Sequence, residues 1–81
     1  MIISGGENIY PAELENTLAA CPDVQEAAVI GIPSEKWGET PLALVVAAPG
    51  SSPDPDSLKA WCREHLAGYK VPQLYEIVSS L

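Results

Sequence analysis

Residues 24–48 read VQEAAVIGIPSEKWGETPLALVVAA, and the fold turns on how that stretch is parsed. Its first part, Val24–Pro33, is rich in small and β-branched residues and is stopped by Pro33, the signature of a strand. The link Ser34–Thr40 is polar apart from Trp37. From Pro41 to Ala48 nearly every residue is apolar, which predicts a second strand covered on both faces. Two adjacent strands of this length need at least one layer of helices to bury them.

Working outward toward the N-terminus, Pro11–Ala20 (PAELENTLAA) has Leu14 and Leu18 four residues apart on one face, with Glu13, Glu15 and Asn16 elsewhere. That spacing predicts a helix, opened by Pro11 at a position whose N–H would be unpaired anyway and ended by Pro22. The acids near its start suit the positive end of the helix dipole. Ahead of it, MIISGGENIY places a Gly5-Gly6 turn between apolar Met1–Ile3 and Ile9-Tyr10, two very short strands forming a hairpin. Toward the C-terminus, PGSSPDPDS is a loop ending in Asp54, an N-cap, and Pro55, a first helical residue. Leu58, Trp61, Cys62, His65 and Leu66 then recur at spacings of three and four. Gly68 reads as a left-handed C-cap, and Leu74–Val78 (LYEIV) as a half-buried final strand. The expectation is an α+β fold: a small mixed sheet of about three strands flanked by two helices, preceded by a short hairpin.

Composition narrows the function. The 81 residues suit one domain, 47% hydrophobic and 19% charged, without the low-complexity tracts of a disordered chain. Eleven acids against four Lys/Arg give a net charge of −7. No basic stripe is available to neutralise nucleic-acid phosphates or to hold an anionic membrane. The apolar run Pro41–Pro49 is too short to span a bilayer, so no transmembrane segment is expected, and no secretory leader is visible; a cytoplasmic setting fits. Cys21 and Cys62 lie too far apart for a CxxC element, and His65 alone does not complete a metal site with them. They read as small buried apolar residues.

Three segments, Met1–Glu15, Ala27–Thr40 and Leu66–Leu81, in this order and spacing, resemble the C-terminal domain of the adenylate-forming superfamily of acyl-CoA synthetases, adenylation domains and luciferases. The Gly-Gly-Glu-Asn version of the first is most similar to fatty- or aryl-acid CoA ligases. The resemblance covers essentially the whole chain. It implies a lid domain of an AMP-forming ligase, residues 1–81, truncated at both ends: the hinge is expected before Met1 and the adenylation lysine, in a Gly-Lys motif, beyond Leu81. The activity implied is formation of acyl-CoA from a carboxylic acid, ATP and CoA through an acyl-adenylate, with Mg²⁺ serving the full-length enzyme. The partners implied are the N-terminal adenylation domain of the same enzyme and a small-molecule acid. No cofactor is expected to bind this segment tightly, and alone it is expected to be inactive.

The resemblance also assigns residues. Ser4, Gly5, Gly6 and Glu7 match a turn that lines the pantetheine channel in relatives, where glycine lets the backbone approach a thin ligand; taken alone, Gly-Gly is more often only a tight turn. Trp37 matches a tryptophan that packs on the CoA arm in some ligases, and its alternative is a lid over the core between two strands. Tyr69 and Lys70 match a loop near the CoA nucleotide, where a lysine can meet phosphate as a point charge; the other reading is a solvated surface lysine. Some relatives carry basic residues where this chain has Val71 and Gln73. Asn8 matches an adenylate-side position, or is a hydrogen-bonding turn residue. Trp61, on the helical stripe, reads as core, and no catalytic residue, triad or metal ligand is expected in this segment. The competing reading of the chain is a stand-alone, ferredoxin-like, non-catalytic binding or interaction module.

Overall fold

The computed structural model describes all 81 residues, Met1–Leu81. The elements run β1 (Ile2–Ser4), β2 (Glu7–Ile9), α1 (Pro11–Ala19), β3 (Val24–Ser34), β4 (Gly38–Ala47), α2 (Pro55–His65), a 3₁₀ turn (Gly68–Lys70) and β5 (Leu74–Ile77). This is the α+β fold expected, but the sheet holds five strands rather than about three, because the hairpin joins it instead of standing ahead of it. Strand β4 is the hub. It pairs antiparallel with β3 from Ser34↔Gly38 to Val24↔Ala47, interrupted by a bulge near Gln25. Along its other edge it takes β1 at Gly38 and, further on, β5 in parallel from Leu42↔Leu74 to Val45↔Ile77.

Local chemistry accounts for the helix starts. Proline opens both helices. At α2 the Asp54 side chain accepts from Ser57 N–H (2.8 Å) while Asp54 N–H donates to Ser57 Oγ (3.2 Å), a reciprocal capping box. The other end departs from expectation. The backbone leaves α2 at Leu66 in extended geometry (φ −129°, ψ 153°), its N–H bonded to Cys62 O, and Gly68 has no positive φ. Leu66 is half-buried against the core, so the chain turns inward there. Gly68 opens the 3₁₀ turn instead of capping the helix.

Both helices pack on one face of the sheet. Leu14 and Leu18 of α1 and Leu58 and Cys62 of α2 meet Val29, Ala43 and Val45 there, with Ile2 and Ile9 of the hairpin completing the core. Trp61 is half-buried beside them, and its indole N–H donates to Thr17 O at 2.8 Å, tying α2 to α1. Glu15 reaches across from α1 to accept from Val29 N–H at 2.9 Å. Cys21 and Cys62 are both buried and unbridged.

The opposite face carries Ile30, Leu42, Leu44 and Leu74, aligned by the register of β3, β4 and β5. No helix covers it, and Ile30 and Leu74 are 46% and 44% exposed. The expectation that β4 is covered on both faces is therefore corrected. The apolar run Pro41–Ala47 shows that neither face of that part of β4 carries charge, but not that this chain supplies both covers. Strand β5 also buries less than its alternation predicts. Leu74 lies on the uncovered face, and of Tyr75 and Ile77, which the register sets on the helix face, Tyr75 packs against the core while Ile77 stays 44% exposed.

Candidate functional site

A groove of about 400 Å³ opens where the hairpin, the β3–β4 link and the 3₁₀ turn converge, within the size range of small-molecule sites. The hairpin contributes Ser4, Gly5 and Glu7; the link and the start of β4 contribute Lys36, Trp37, Thr40 and Pro41. Gly68, Tyr69, Val71 and Gln73 close the third side.

The turn requires glycine for two reasons. Gly5 (φ +58°) and Gly6 (φ +82°) are both left-handed, a geometry that costs an L-residue roughly 1–2 kcal/mol. Gly5 also lies against the Trp37 ring: a Cβ there would stand 2.8 Å from Trp37 Cε3 and 3.2 Å from Cζ3. Gly6 has open space around it. The backbone makes the same join, since Gly5 N–H donates to Trp37 O at 2.9 Å. Trp37 N–H in turn donates to Ser34 Oγ at 3.2 Å, and Glu39 Oε1 accepts from Ile3 N–H at 3.1 Å. The hairpin pairs with β4 at the single position Ser4↔Gly38, so these contacts set where its turn sits. Trp37 is 47% exposed and is no lid over the core.

Of the residues picked out in the sequence, Ser4, Gly5, Glu7, Trp37 and Tyr69 share this groove. Gly6 shapes the turn without lining it. Asn8 stands opposite Ile3 in the hairpin and also lies outside the lining. Lys70 does not line the groove either. Its ammonium lies 2.8 Å from Glu13 Oε1 on α1, and that hydrogen bond pushes its pKa above the ordinary 10.5. The lining cation is Lys36, whose Nζ sits 4.8 Å from the Trp37 ring centroid. Sequence reading passed over Lys36, Thr40 and Pro41; the only signal for Lys36 was its place beside Trp37 in a short polar link.

Catalytic groups are not evident. No three His, Cys, Asp or Glu side chains stand close enough to hold a metal ion. Burial, together with the neighbouring Cys62 thiol, pushes the Tyr75 phenol well up, and burial raises the Cys62 thiol. Both lie in the core, away from the groove. No helix is long and apolar enough to cross a membrane.

Comparison with known proteins places the chain within larger ligases. The chain is 58% identical over its whole length to a feruloyl-CoA synthase of an Amycolatopsis species and 53% identical to a 2-succinylbenzoate–CoA ligase of Geobacillus kaustophilus. In each case it spans only 16% of the relative's length. Among solved structures it superposes on a fatty acyl-CoA synthetase of Mycobacterium tuberculosis with a TM-score of 0.92 at 45% identity, covering 99% of this chain and 16% of that one. Residues 13–81 match the AMP-binding enzyme C-terminal domain, and the chain belongs to that family.

Proposed function

We propose that this chain is the small C-terminal domain of an AMP-forming acyl-CoA synthetase and contributes the face on which thioester is made. In such an enzyme ATP, with Mg²⁺, activates a carboxylic acid as acyl-adenylate, and the CoA thiol then displaces AMP. The N-terminal adenylation domain would hold ATP and the acid. This domain would close over them between steps, excluding water from the adenylate and presenting the groove to the incoming thiol. The observation that carries the reading is the packing of the Gly5 turn on the Trp37 ring. It leaves a narrow, glycine-walled slot beside an indole whose polar edge can stay wet, which suits a thin amide-bearing arm such as pantetheine. Tyr69 also lines the groove and adds a second aromatic ring.

Titrating the 81-residue chain with CoA while following amide chemical shifts tests this. Shifts concentrated at Gly5, Trp37 and Tyr69 support it, whereas shifts confined to the uncovered sheet face refute it. Mixed with fatty or aryl acids, ATP, CoA and Mg²⁺, the chain alone should release neither AMP nor pyrophosphate above a blank. A stand-alone interaction module is the weaker reading, because relatives carry this sequence as one sixth of a larger ligase.

A further inference from the structure

We infer that Lys36 is the cation that meets phosphate in this groove, and that Lys70 is a structural clamp rather than a ligand contact. The inference rests on the groove taking a phosphorylated pantetheine-type thiol, and it assigns the charge within that site.

The four cations of the chain are already sorted by their partners. Lys70 forms the chain's one salt bridge, 2.8 Å to Glu13 Oε1, linking the 3₁₀ turn to α1 across 57 residues of sequence. Turning it toward a ligand would break that bridge. Lys59 is not itself a lining residue; it is engaged with Gln73 on the groove wall, donating to its Oε1 at 2.7 Å, and Arg63 on α2 also lies outside the lining. Lys36 is different: it is exposed, lines the groove and has no carboxylate partner, with its Nζ 4.8 Å from the Trp37 ring centroid. Lys70 also stands over a ring, that of Tyr69 at 5.7 Å, but its charge is paired with Glu13. A cation over an aromatic face is positioned without losing its N–H donors. Lys36 therefore keeps them free for phosphate oxygens while the same ring flanks the ligand arm.

Electrostatics makes this cation matter. The chain carries −7 overall, and Glu7 lines the same groove, so an anion is repelled unless a positive charge stands within about a Debye length, roughly 8 Å. Val71 and Gln73 bring no charge to the lining. Among the lining residues only Lys36 is positively charged to offset Glu7.

The test compares CoA with pantetheine, which has the same arm and no phosphate, by chemical-shift titration of the chain as wild type, Lys36→Ala, Lys36→Arg, Lys70→Met and Glu7→Gln. Wild type should prefer CoA. Lys36→Ala should weaken CoA about five- to tenfold, as expected for one charge-assisted contact, and leave pantetheine unchanged; Lys36→Arg should restore most of the loss. Glu7→Gln should tighten CoA. Lys70→Met, which keeps the aliphatic stem, should lower the thermal midpoint and leave CoA affinity within about twofold.

Equal wild-type affinity for CoA and pantetheine overturns the inference while leaving the groove assignment intact. So does a CoA preference that survives Lys36→Ala, or one lost in folded Lys70→Met. If neither compound shifts Gly5, Trp37 or Tyr69, the groove assignment itself falls, and this inference with it.

Discussion

Gly5→Ala isolates the contact on which the groove depends. The substitution has two consequences. It forces an L-residue to hold φ +58°, at about 1–2 kcal/mol. It also sets a methyl carbon 2.8 Å from Trp37 Cε3, when carbon atoms prefer about 3.5–4.0 Å, so the ring must retreat by roughly 1 Å. Overpacking of this kind costs about 1–3 kcal/mol. The low end applies here, because a ring 47% exposed has room to swing. The total is about 2–3 kcal/mol, a large part of the roughly 4–12 kcal/mol expected of an 81-residue domain. Gly6→Ala supplies the control, since at φ +82° with nothing within 4 Å it carries only the backbone penalty.

Urea unfolding followed by far-ultraviolet circular dichroism, on the two alanine variants and on each combined with Trp37→Ala, reads both quantities at constant m-value. Gly5→Ala should exceed Gly6→Ala by about 1 kcal/mol in the parent chain and match it once Trp37 is gone, a coupling that identifies the contact. A Gly5→Ala penalty that is no greater than that of Gly6→Ala, or that persists undiminished without Trp37, would refute the reasoning.

Other outcomes follow from the core and the caps. Leu14→Ala empties a position that is 0% exposed and should cost about 2–5 kcal/mol, enough to leave a marginal fold by thermal melting. Asp54→Ala removes one half of the capping box and should cost about 1 kcal/mol, visible as a lower urea midpoint with little change in m. The buried Cys62 thiol is raised from its ordinary 9.0 and the Tyr75 phenol from 10.0. Their protonated forms are favoured in the folded state, so their contribution is intact below about pH 9 and is lost as pH rises further. Stability should therefore fall on the alkaline side, with a later onset in Cys62→Ala; an unchanged alkaline limb in that variant would count against the burial argument. At pH 8 a thiol reagent should label Cys62 only as fast as the chain opens, because a buried, protonated thiol is inert.

The elements themselves could be read from the sequence because what starts a helix or turns a hairpin lies within a few residues. Pro55 with Asp54 and Ser57 marks the start of α2, Gly5-Gly6 marks the turn, and Leu14 with Leu18 marks the buried side of α1. Gly68 shows where that local logic stops. Its position invites a left-handed cap, yet the half-buried Leu66 draws the backbone inward first, and that pull comes from the core. The membership of the hairpin in the sheet was likewise hidden, because it depends on Gly5 meeting Trp37 and Ile3 meeting Glu39 across more than 30 residues.

What the sequence determined by itself was the list of elements, the apolar positions and the family resemblance, since each is carried by periodicity or by motifs in order along the chain. Tertiary structure alone decided which cation lines the groove. Lys36 and Lys70 look equivalent as isolated residues, and only packing sets Glu13 beside one and the face of Trp37 beneath the other. An ion pair spanning 57 residues has no local signature, because the entropy of bringing its partners together is offset by the whole core rather than by the residues that form the pair.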